Sequence, residues 1–245
     1  MTITHAVLLA GGFGKRLAPA TNHYNKALIP LNDHFVIDYP MNTLVQMGIK
    51  RMTVILGGEH FSDVVSYLGD GSKFGIEIGF CYQASADGIA AAINLAKPYI
   101  EYEDAFVVLL ADNIYSEPIR WVDHPFAQIA LYRSDELHRF GVASLSREHQ
   151  MSNIIKIEEK PKLIDDRFDN YAITGCYLFN RDFFPMFKRL KKSERGEFEI
   201  CEIIQQYLDR KELHHTFVGG EWRDAGTWES IAKIRKLIEA GKIKI

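Results

Sequence analysis

The sequence contains few cysteines, and their spacing excludes the common kinds of cysteine site. The 245 residues include three, Cys81, Cys176 and Cys201. The number is odd, the spacings are wide and no Cys-x-x-Cys pair occurs, so neither a disulfide framework nor a zinc site is indicated. We expect reduced, buried thiols in a cytoplasmic protein.

The chain also lacks a large excess of charge and a long hydrophobic run. The formal net charge is -3, which gives no bulk attraction for nucleic acid. The N-terminus has no basic segment, and the apolar run Ala6–Ala10 is too short for a signal peptide or a membrane span. We therefore expect a cytoplasmic protein without nucleic-acid or membrane partners, in which a phosphate site would need a few locally placed cations.

Apolar runs of strand length alternate with helical patterns in the first half of the chain. The predicted strands are Ile3–Ala10, Arg51–Leu56, Ile76–Tyr82 and Ala105–Leu110. The predicted helices are Asp38–Met47, Asp63–Leu68 with Ser62 as its N-cap, and Gly88–Ala96. Repeated β-loop-α units of this kind are typical of a mostly parallel sheet with helices on both faces.

The second half has a different pattern, in which most strands follow one another without helices. The predicted strands are Gln128–Tyr132, Phe140–Ser146, Asn153–Glu158 and Tyr171–Phe179. The predicted helices are Phe183–Leu190, Glu199–Leu208 and Trp228–Glu239. We expect these strands to extend the same sheet as mixed or antiparallel additions, and no linker or internal repeat divides the chain. The prediction is one α/β domain over residues 1–245, with a Rossmann-like, mostly parallel mixed sheet.

A glycine-rich loop follows the first predicted strand, where backbone N–H groups can approach phosphate oxygens. Its sequence over residues 11–16 is Gly-Gly-Phe-Gly-Lys-Arg. The dinucleotide fingerprint fails at Leu17, and the P-loop pattern fails because Arg16 follows Gly14-Lys15. Arg16 could bind two phosphate oxygens, but a plain strand-to-helix turn with solvated cations explains the loop equally well.

The loop is the first of ten segments that together resemble one known family. They cover residues 9–21, 25–30, 68–75, 82–90, 111–114, 139–142, 157–161, 171–175, 195–200 and 222–227. In this order they resemble the sugar-1-phosphate nucleotidylyltransferases, and within them the glucose-1-phosphate thymidylyltransferases. The resemblance covers nearly the whole chain.

The resemblance implies a fold, a reaction and a division of the chain. The fold is a nucleotidyltransferase domain of the GT-A-like type. The reaction is Mg²⁺-dependent transfer of a nucleotidyl group from dTTP to glucose 1-phosphate, which gives dTDP-glucose and pyrophosphate. A nucleotide half would cover about residues 1–114, and a sugar-phosphate half about residues 115–245.

The resemblance also assigns roles on the nucleotide side. Arg16 and Lys26 would neutralise phosphate charge as catalytic residues, and the amide of Gln83, which offers a donor and an acceptor, would bind the pyrimidine edge. The implied nucleotide-binding residues are Leu9, Ala10, Gly11, Gly12, Gly14, Lys15, Gln83, Gly88 and Asp112.

On the sugar side, Lys160 would bind the phosphate of the sugar 1-phosphate and act as the third catalytic cation. The implied sugar-phosphate-binding residues are Asn113, Gly141, Glu159, Lys160, Ile173, Thr174 and Trp222. Asp112 and Asp224 would hold Mg²⁺, since one or two carboxylates together with substrate phosphates usually bind this ion. Asp112 also directly follows a buried strand, where ligands bind in open α/β sheets.

Some positions depart from the family pattern on the nucleotide side. Alanine stands at positions 27, 84, 86 and 111, where the family usually has Gln or another polar residue, proline, proline and glycine, respectively. The chain also ends soon after the last predicted helix, so we expect a short form without the extra C-terminal helices of longer members. A homo-oligomer remains possible.

Three alternatives stay open. The same reaction could use UTP or another hexose 1-phosphate, because one methyl group in a pocket changes binding by only ~1–3 kcal/mol. A binding module without catalysis would have lost a metal carboxylate or a phosphate cation, yet all of these residues are present. A glycosyltransferase would normally show an Asp-x-Asp motif, which the segment Asp112-Asn113-Ile114 lacks.

Overall fold

The computed structural model describes residues 3–123, 126–147 and 153–245. Its strands are β1 (His5–Ala10), β2 (Pro30–Leu31), β3 (His34–Phe35), β4 (Arg51–Gly57), β5 (Glu77–Gln83), β6 (Ala105–Leu110), β7 (Asn113–Tyr115), β8 (Ala127–Tyr132), β9 (Gly141–Leu145), β10 (Ile154–Glu159), β11 (Asp169–Asn180), β12 (Leu213–Phe217) and β13 (Trp222–Asp224). Its helices are α1 (Asp38–Gln46), α2 (Phe61–Leu68), α3 (Ile89–Leu95), α4 (Lys97–Ile100), α5 (Phe183–Phe187), α6 (Ile200–Asp209) and α7 (Trp228–Glu239). No helix in the described ranges is both long and apolar enough to span a bilayer.

One central sheet organises the molecule, with strand order β10-β9-β11-β6-β1-β4-β5, while β8 pairs with β11 and β12 with β8. The first-half strands β6, β1, β4 and β5 are mutually parallel. The long strand β11 runs antiparallel to β6, β8 and β9. The predicted mixed sheet, parallel in its first half and extended by antiparallel strands in its second, is confirmed.

The sheet is covered on both faces, as the apolar runs indicate. Successive side chains of β1 point to opposite faces, so that Val7 belongs to one core and Ala6 and Leu8 to the other. Helices α3, α5 and α6 contribute to the core around Val7, and α1 and α2 to the core around Leu8. A third apolar cluster packs Leu17 against α7 through Ile234. The glycine loop is therefore anchored on one side by the last helix.

Several predicted boundaries need correction. Ser62 is not an N-cap, because α2 already begins at Phe61. The helix predicted from Gly88 begins at Ile89, since the φ of +98° at Gly88 lies outside the helical region. The helix predicted over 183–190 ends at Phe187. Strand β12 was not predicted, because its two histidines interrupt any alternation of apolar residues.

The pairing that builds the site is a small two-stranded sheet. Strand β13 pairs antiparallel with β7, and the register sets Asp224 opposite Asn113. This pairing brings the segment before α7 next to the end of β6, more than a hundred residues earlier in the chain. Neither short strand has an apolar pattern of its own, so the sequence did not indicate the pairing.

Candidate active site

Two adjoining cavities open at the carboxyl ends of β1, β5 and β6, where α/β sheets bind ligands. The first, the glycine-loop cavity, has a volume of about 240 Å³, and the predicted residues that line it are Leu9, Ala10, Gly11, Gly12, Lys26, Gln83, Gly88 and Asp112. The second, the β11 cavity, measures about 250 Å³, and the predicted residues that line it are Arg16, Asp112, Asn113, Gly141, Glu159, Lys160, Ile173, Trp222 and Asp224. Asp112, Ile89 and Leu110 line both, so the cavities meet at the end of β6.

Three of the predicted residues line neither cavity. Thr174 is fully buried, and its hydroxyl donates to the carbonyl of Ala130 at 3.0 Å. Gly14 adopts a φ of +62° and turns the chain into the short helical turn Lys15–Leu17. The side chain of Lys15 is exposed to solvent. The β11 cavity also takes Arg16 from the first half of the chain, and the glycine-loop cavity takes Glu197 from the second.

Two glycines of the glycine-loop cavity are required by neighbouring protein atoms. A Cβ at Gly11 would lie 2.6 Å from Oε1 of Gln83, so the Gln83 amide packs directly on the loop backbone. A Cβ at Gly88 would lie 2.7 Å from the carbonyl oxygen of Phe198. In contrast, a Cβ at Gly12 would meet nothing within 4 Å. The loop is therefore covered by the Gln83 side chain at Gly11 and faces the cavity at Gly12.

Asp112 and Asp224 face each other where the cavities meet. The amide N–H of Ala225 donates to the backbone carbonyl of Asp112 at 2.7 Å, which fixes the two segments together. The Asp112 carboxylate is paired with the Lys26 ammonium. Arg139 donates to Oδ2 of Asp224 at 3.3 Å. Each carboxylate therefore has its own cation.

The two carboxylates differ in how readily they ionise. Burial acts to raise the pKa of Asp112, but the Lys26 charge and the hydrogen bonds from Lys26 and Asn113 outweigh it and hold this pKa below its usual range. Burial and the charge of Asp112 raise the pKa of Asp224, despite the nearby Lys26, Arg139 and Arg16. Such a pair is typical of a site where a further positive charge is bound.

The atoms around Asp224 fit a divalent cation. Its Oδ1 is buried and has no hydrogen-bond partner, although Oδ2 has one. A Cβ at residue 226 would lie 2.4 Å from this Oδ1, so Gly226 is needed beside it. Within the described parts of the chain no three or more His, Cys, Asp or Glu side chains converge on a possible metal position. Two carboxylates do not complete a zinc site but suit Mg²⁺, which takes its other ligands from phosphates and water.

Cations also gather at the end of β10. Lys160 has a φ of +44°, unusual for a residue with a side chain, and its amide donates to the carbonyl of Phe140. Its ammonium lies 3.2 Å from Oε1 of Glu159, and Arg195 approaches the same oxygen at 3.3 Å. The other oxygen, Oε2, lies 3.1 Å from the thiol of Cys201. This corner can accept an anionic group next to hydroxyl-binding oxygens.

Several of these residues received no role from the sequence. Arg139, Arg195 and Glu197 lie in segments that carried the family resemblance, so a signal was present although their function was not assigned. Cys201 was expected to be a buried, reduced thiol, and burial together with the Glu159 charge raises its pKa. The thiol nevertheless lines the β11 cavity. Its contact with Glu159 depends on the packing of α6 against β10 and was not visible in the sequence.

Comparison with known proteins agrees with this geometry. The family model described as "Nucleotidyl transferase" matches residues 5–241. The low-salt glycan biosynthesis nucleotidyltransferase Agl11 of Haloferax volcanii is 34% identical over 239 residues, which are 95% of this chain and 65% of that protein. The chain thus spans slightly less than two thirds of this relative's length.

Two further relatives are similar over more of their own length. A glucose-1-phosphate thymidylyltransferase of Xanthomonas campestris pv. campestris is 32% identical over 98% of this chain and 82% of that protein. The crystal structure of a proposed glucose-1-phosphate thymidylyltransferase from Bacillus anthracis, in complex with a sucrose, superposes with a TM-score of 0.84 at 38% identity, covering 96% of this chain and 94% of that one. The chain therefore belongs to the nucleotidyl transferase family, among the sugar-1-phosphate nucleotidyltransferases.

Proposed function

We propose that this chain transfers the thymidylyl group of dTTP to glucose 1-phosphate with the help of Mg²⁺, forming dTDP-glucose and pyrophosphate. The observation that carries the proposal is the meeting of two cavities at Asp112, with cations on both sides. A transfer between two phosphorylated substrates needs two adjacent pockets whose phosphate ends converge. The thymidylyltransferase of X. campestris supports the choice of substrates.

The glycine-loop cavity would hold the nucleotide. Its walls are mostly backbone and small side chains, which allow a flat base and a ribose to lie close to the main chain. The Gln83 amide would bind the pyrimidine edge through one donor and one acceptor. Lys26, whose side chain is 14% exposed, would share its charge between Asp112 and the triphosphate.

The β11 cavity would hold the sugar 1-phosphate. Lys160 would bind its phosphate, and Glu159 would accept hydrogen bonds from sugar hydroxyls. The 3.2 Å contact between these two side chains supports a ligand that carries both groups. Arg195, 3.3 Å from the same oxygen of Glu159, would add a second positive charge near the phosphate.

In the proposed reaction, an oxygen of the sugar phosphate attacks the α-phosphorus of dTTP. A new oxygen–phosphorus bond forms as the bond from the α-phosphorus to the oxygen bridging the β-phosphorus breaks, and pyrophosphate leaves. Arg16, Lys26 and Lys160 stabilise the charge that accumulates on the phosphate oxygens, and the cavity walls align the two substrates. Mg²⁺ held by Asp112 and Asp224 would supply further neutralisation of the triphosphate.

The proposal is tested by measuring pyrophosphate release with Mg²⁺ over a grid of nucleoside triphosphates and sugar 1-phosphates. We expect the highest kcat/KM for dTTP with glucose 1-phosphate. UTP should be the next best nucleotide, with a kcat/KM lower by roughly 10–200-fold, because the two bases differ by one methyl group. A higher kcat/KM for UTP or for another hexose 1-phosphate would reject the substrates proposed here. No release from any combination would favour a nucleotide-sugar-binding module.

A further inference from the structure

The side chain of Asn113 is held at the centre of a hydrogen-bond network that joins the walls of the two cavities. Only 3% of this residue is exposed. The indole N–H of Trp222 donates to its Oδ1 at 2.7 Å, and the backbone N–H of Gly175 donates to the same oxygen at 3.2 Å. Its Nδ2 donates to Oδ1 of Asp112 at 2.8 Å.

The orientation of the Asn113 amide is fixed by chemistry. An indole N–H and a backbone N–H can only donate, so the end of the amide that they both approach must be its carbonyl oxygen. The NH₂ end is then forced to face Asp112, whose ionised carboxylate can only accept. If the amide were flipped, its NH₂ group would face the two N–H donors and its oxygen would face the Asp112 carboxylate. Neither end could then form a hydrogen bond.

The backbone around the amide is shaped for these contacts. Strand β11 pairs with β9 up to Ala172 and with β6 from Cys176 onward, and its register against β8 shifts between Ile173 and Tyr177. The amide of Gly175 lies at this change of partner and is available to a side chain. A Cβ at Gly175 would lie 2.8 Å from Cγ of Asn113, so only glycine permits the contact.

We infer that Asn113 is a positioning residue that orients the Asp112 carboxylate toward a divalent cation, and that Trp222 and Gly175 hold its amide for this task. Asn113 fixes one oxygen of Asp112 and Lys26 fixes the other, so the plane of the carboxylate is set from both sides. Asp112 lines both cavities and Asp224 lines the β11 cavity, so both carboxylates border the space in which a cation would be held. The inference rests on the cation site of the proposed function, and it gives Asn113 a role in addition to the sugar-binding role that the resemblance implied.

Outer hydrogen-bond partners of metal ligands typically change metal affinity by about 10–100-fold when they are removed. We therefore expect Asn113→Leu, which has nearly the same shape, to weaken Mn²⁺ binding to the full chain by roughly 10–100-fold, as measured by electron paramagnetic resonance of free Mn²⁺. Kinetically, the variant should lower kcat and raise the Mg²⁺ concentration that is required for activity.

A double variant separates positioning from a merely structural role. Asn113→Leu leaves the donors of Trp222 and Gly175 buried without an acceptor, which costs stability. Asn113→Leu with Trp222→Phe removes one of these orphaned donors, so the melting temperature should partly recover while Mn²⁺ affinity stays low. Trp222→Phe alone should fold and weaken Mn²⁺ binding less than Asn113→Leu does, because Gly175 still holds the amide.

Asn170, on strand β11, offers a matched control. Its Oδ1 accepts from Ser144 at 2.7 Å and its Nδ2 donates to the carbonyls of Asp165 and Phe168, away from both cavities. Asn170→Leu should lose stability and keep the Mn²⁺ affinity of the natural chain.

Three results would overturn the inference. The first is unchanged Mn²⁺ affinity in Asn113→Leu, and the second is recovery of affinity together with stability in the double variant. The third is a raised KM for glucose 1-phosphate in Asn113→Leu without a change in Mn²⁺ affinity, which would leave Asn113 with the sugar-binding role alone. Mn²⁺ binding that depends on Asn113 in a chain that releases no pyrophosphate would uphold the inference and reject the proposed function.

Discussion

The two cavities are lined by different kinds of residue although they share Asp112. The glycine-loop cavity is walled by backbone and small residues such as Gly11, Gly12 and Ala27, which come mostly from strand ends in the first half of the chain. The β11 cavity is walled by charged and aromatic side chains such as Arg139 and Trp222. The glycine-loop cavity would therefore select its ligand by shape, and the β11 cavity would select its ligand by charge. Substitutions that add atoms should impair binding in the glycine-loop cavity, and substitutions that remove a charge should impair binding in the β11 cavity.

The junction between the cavities should give the largest effect, because both halves depend on it. We expect Asp112→Asn and Asp224→Asn to lower kcat by roughly 10²–10³-fold or more, since each removes a fixed charge at the transferring group. The dissociation constant of dTTP, measured by equilibrium dialysis, should change far less. Two variants with natural turnover would exclude a two-carboxylate cation site.

Removal of a charge from the β11 cavity should affect one substrate only. Lys160→Ala is expected to raise the KM for glucose 1-phosphate by roughly 10–100-fold, because a charge-assisted hydrogen bond contributes about 1.5–3 kcal/mol. The KM for dTTP should remain close to its natural value in initial-rate kinetics. Lys162→Ala, two residues along on an exposed loop, is the matched control and should behave as the natural chain. Equal KM values for the two variants would remove Lys160 from the phosphate site.

Added volume in the glycine-loop cavity should have a smaller effect on the other substrate. Gly11→Ala forces the Gln83 amide away from the loop, so we expect the KM for dTTP to rise by roughly tenfold, as it should for Gln83→Ala. Gly79→Ala adds the same methyl group on β5 outside the cavity, where a Cβ meets no atom within 4 Å, and should change the KM little. Similar kinetics in both alanine variants would contradict selection by shape at this loop.

The smallest expected effects concern stability, and the two carboxylates should give opposite signs. Burial and the Asp112 charge raise the pKa of Asp224, so its contribution to stability is present at acid pH and lost as pH rises through its folded-state pKa. With EDTA at pH 7, Asp224→Asn should therefore raise the melting temperature, by about 2–4 °C for each kcal/mol of repulsion relieved. This gain should shrink toward acid pH.

For Asp112 the expected change in stability and its pH dependence have the opposite sign. The Lys26 ammonium overcomes burial and lowers the pKa of Asp112, so its contribution to stability is present at neutral pH and lost as pH falls through its folded-state pKa. Asp112→Asn should lower the melting temperature at pH 7 because it leaves the part-buried Lys26 without its partner. Calorimetry of both variants tests this prediction. Melting-temperature shifts of the same sign would show that the two pKa values are not displaced in opposite directions.

The sequence by itself determined the parts of the protein that depend on local pattern. Buried strands such as Ala105–Leu110 read as continuous apolar runs, and the helix Trp228–Glu239 was predicted to the residue. The longer strands and helices of the first half were predicted because periodicity is a property of short windows, whereas the short elements β2, β3, β7 and α4 were not. The family resemblance then identified most residues that line the two cavities, since their motifs are contiguous segments.

Only the tertiary structure decided which side chains act on one another. Arg139 and Asp224 are separated by 85 positions, and Trp222 and Asn113 by 109, yet both pairs are in contact through the pairing of β13 with β7 and the packing around it. Short strands without an apolar pattern are brought together by hydrogen bonding and burial over the whole fold, for which a local window contains no information. For the same reason a glycine within a strand, such as Gly175, indicates only that another group approaches its backbone, while the contact with Asn113 appears only in the structure.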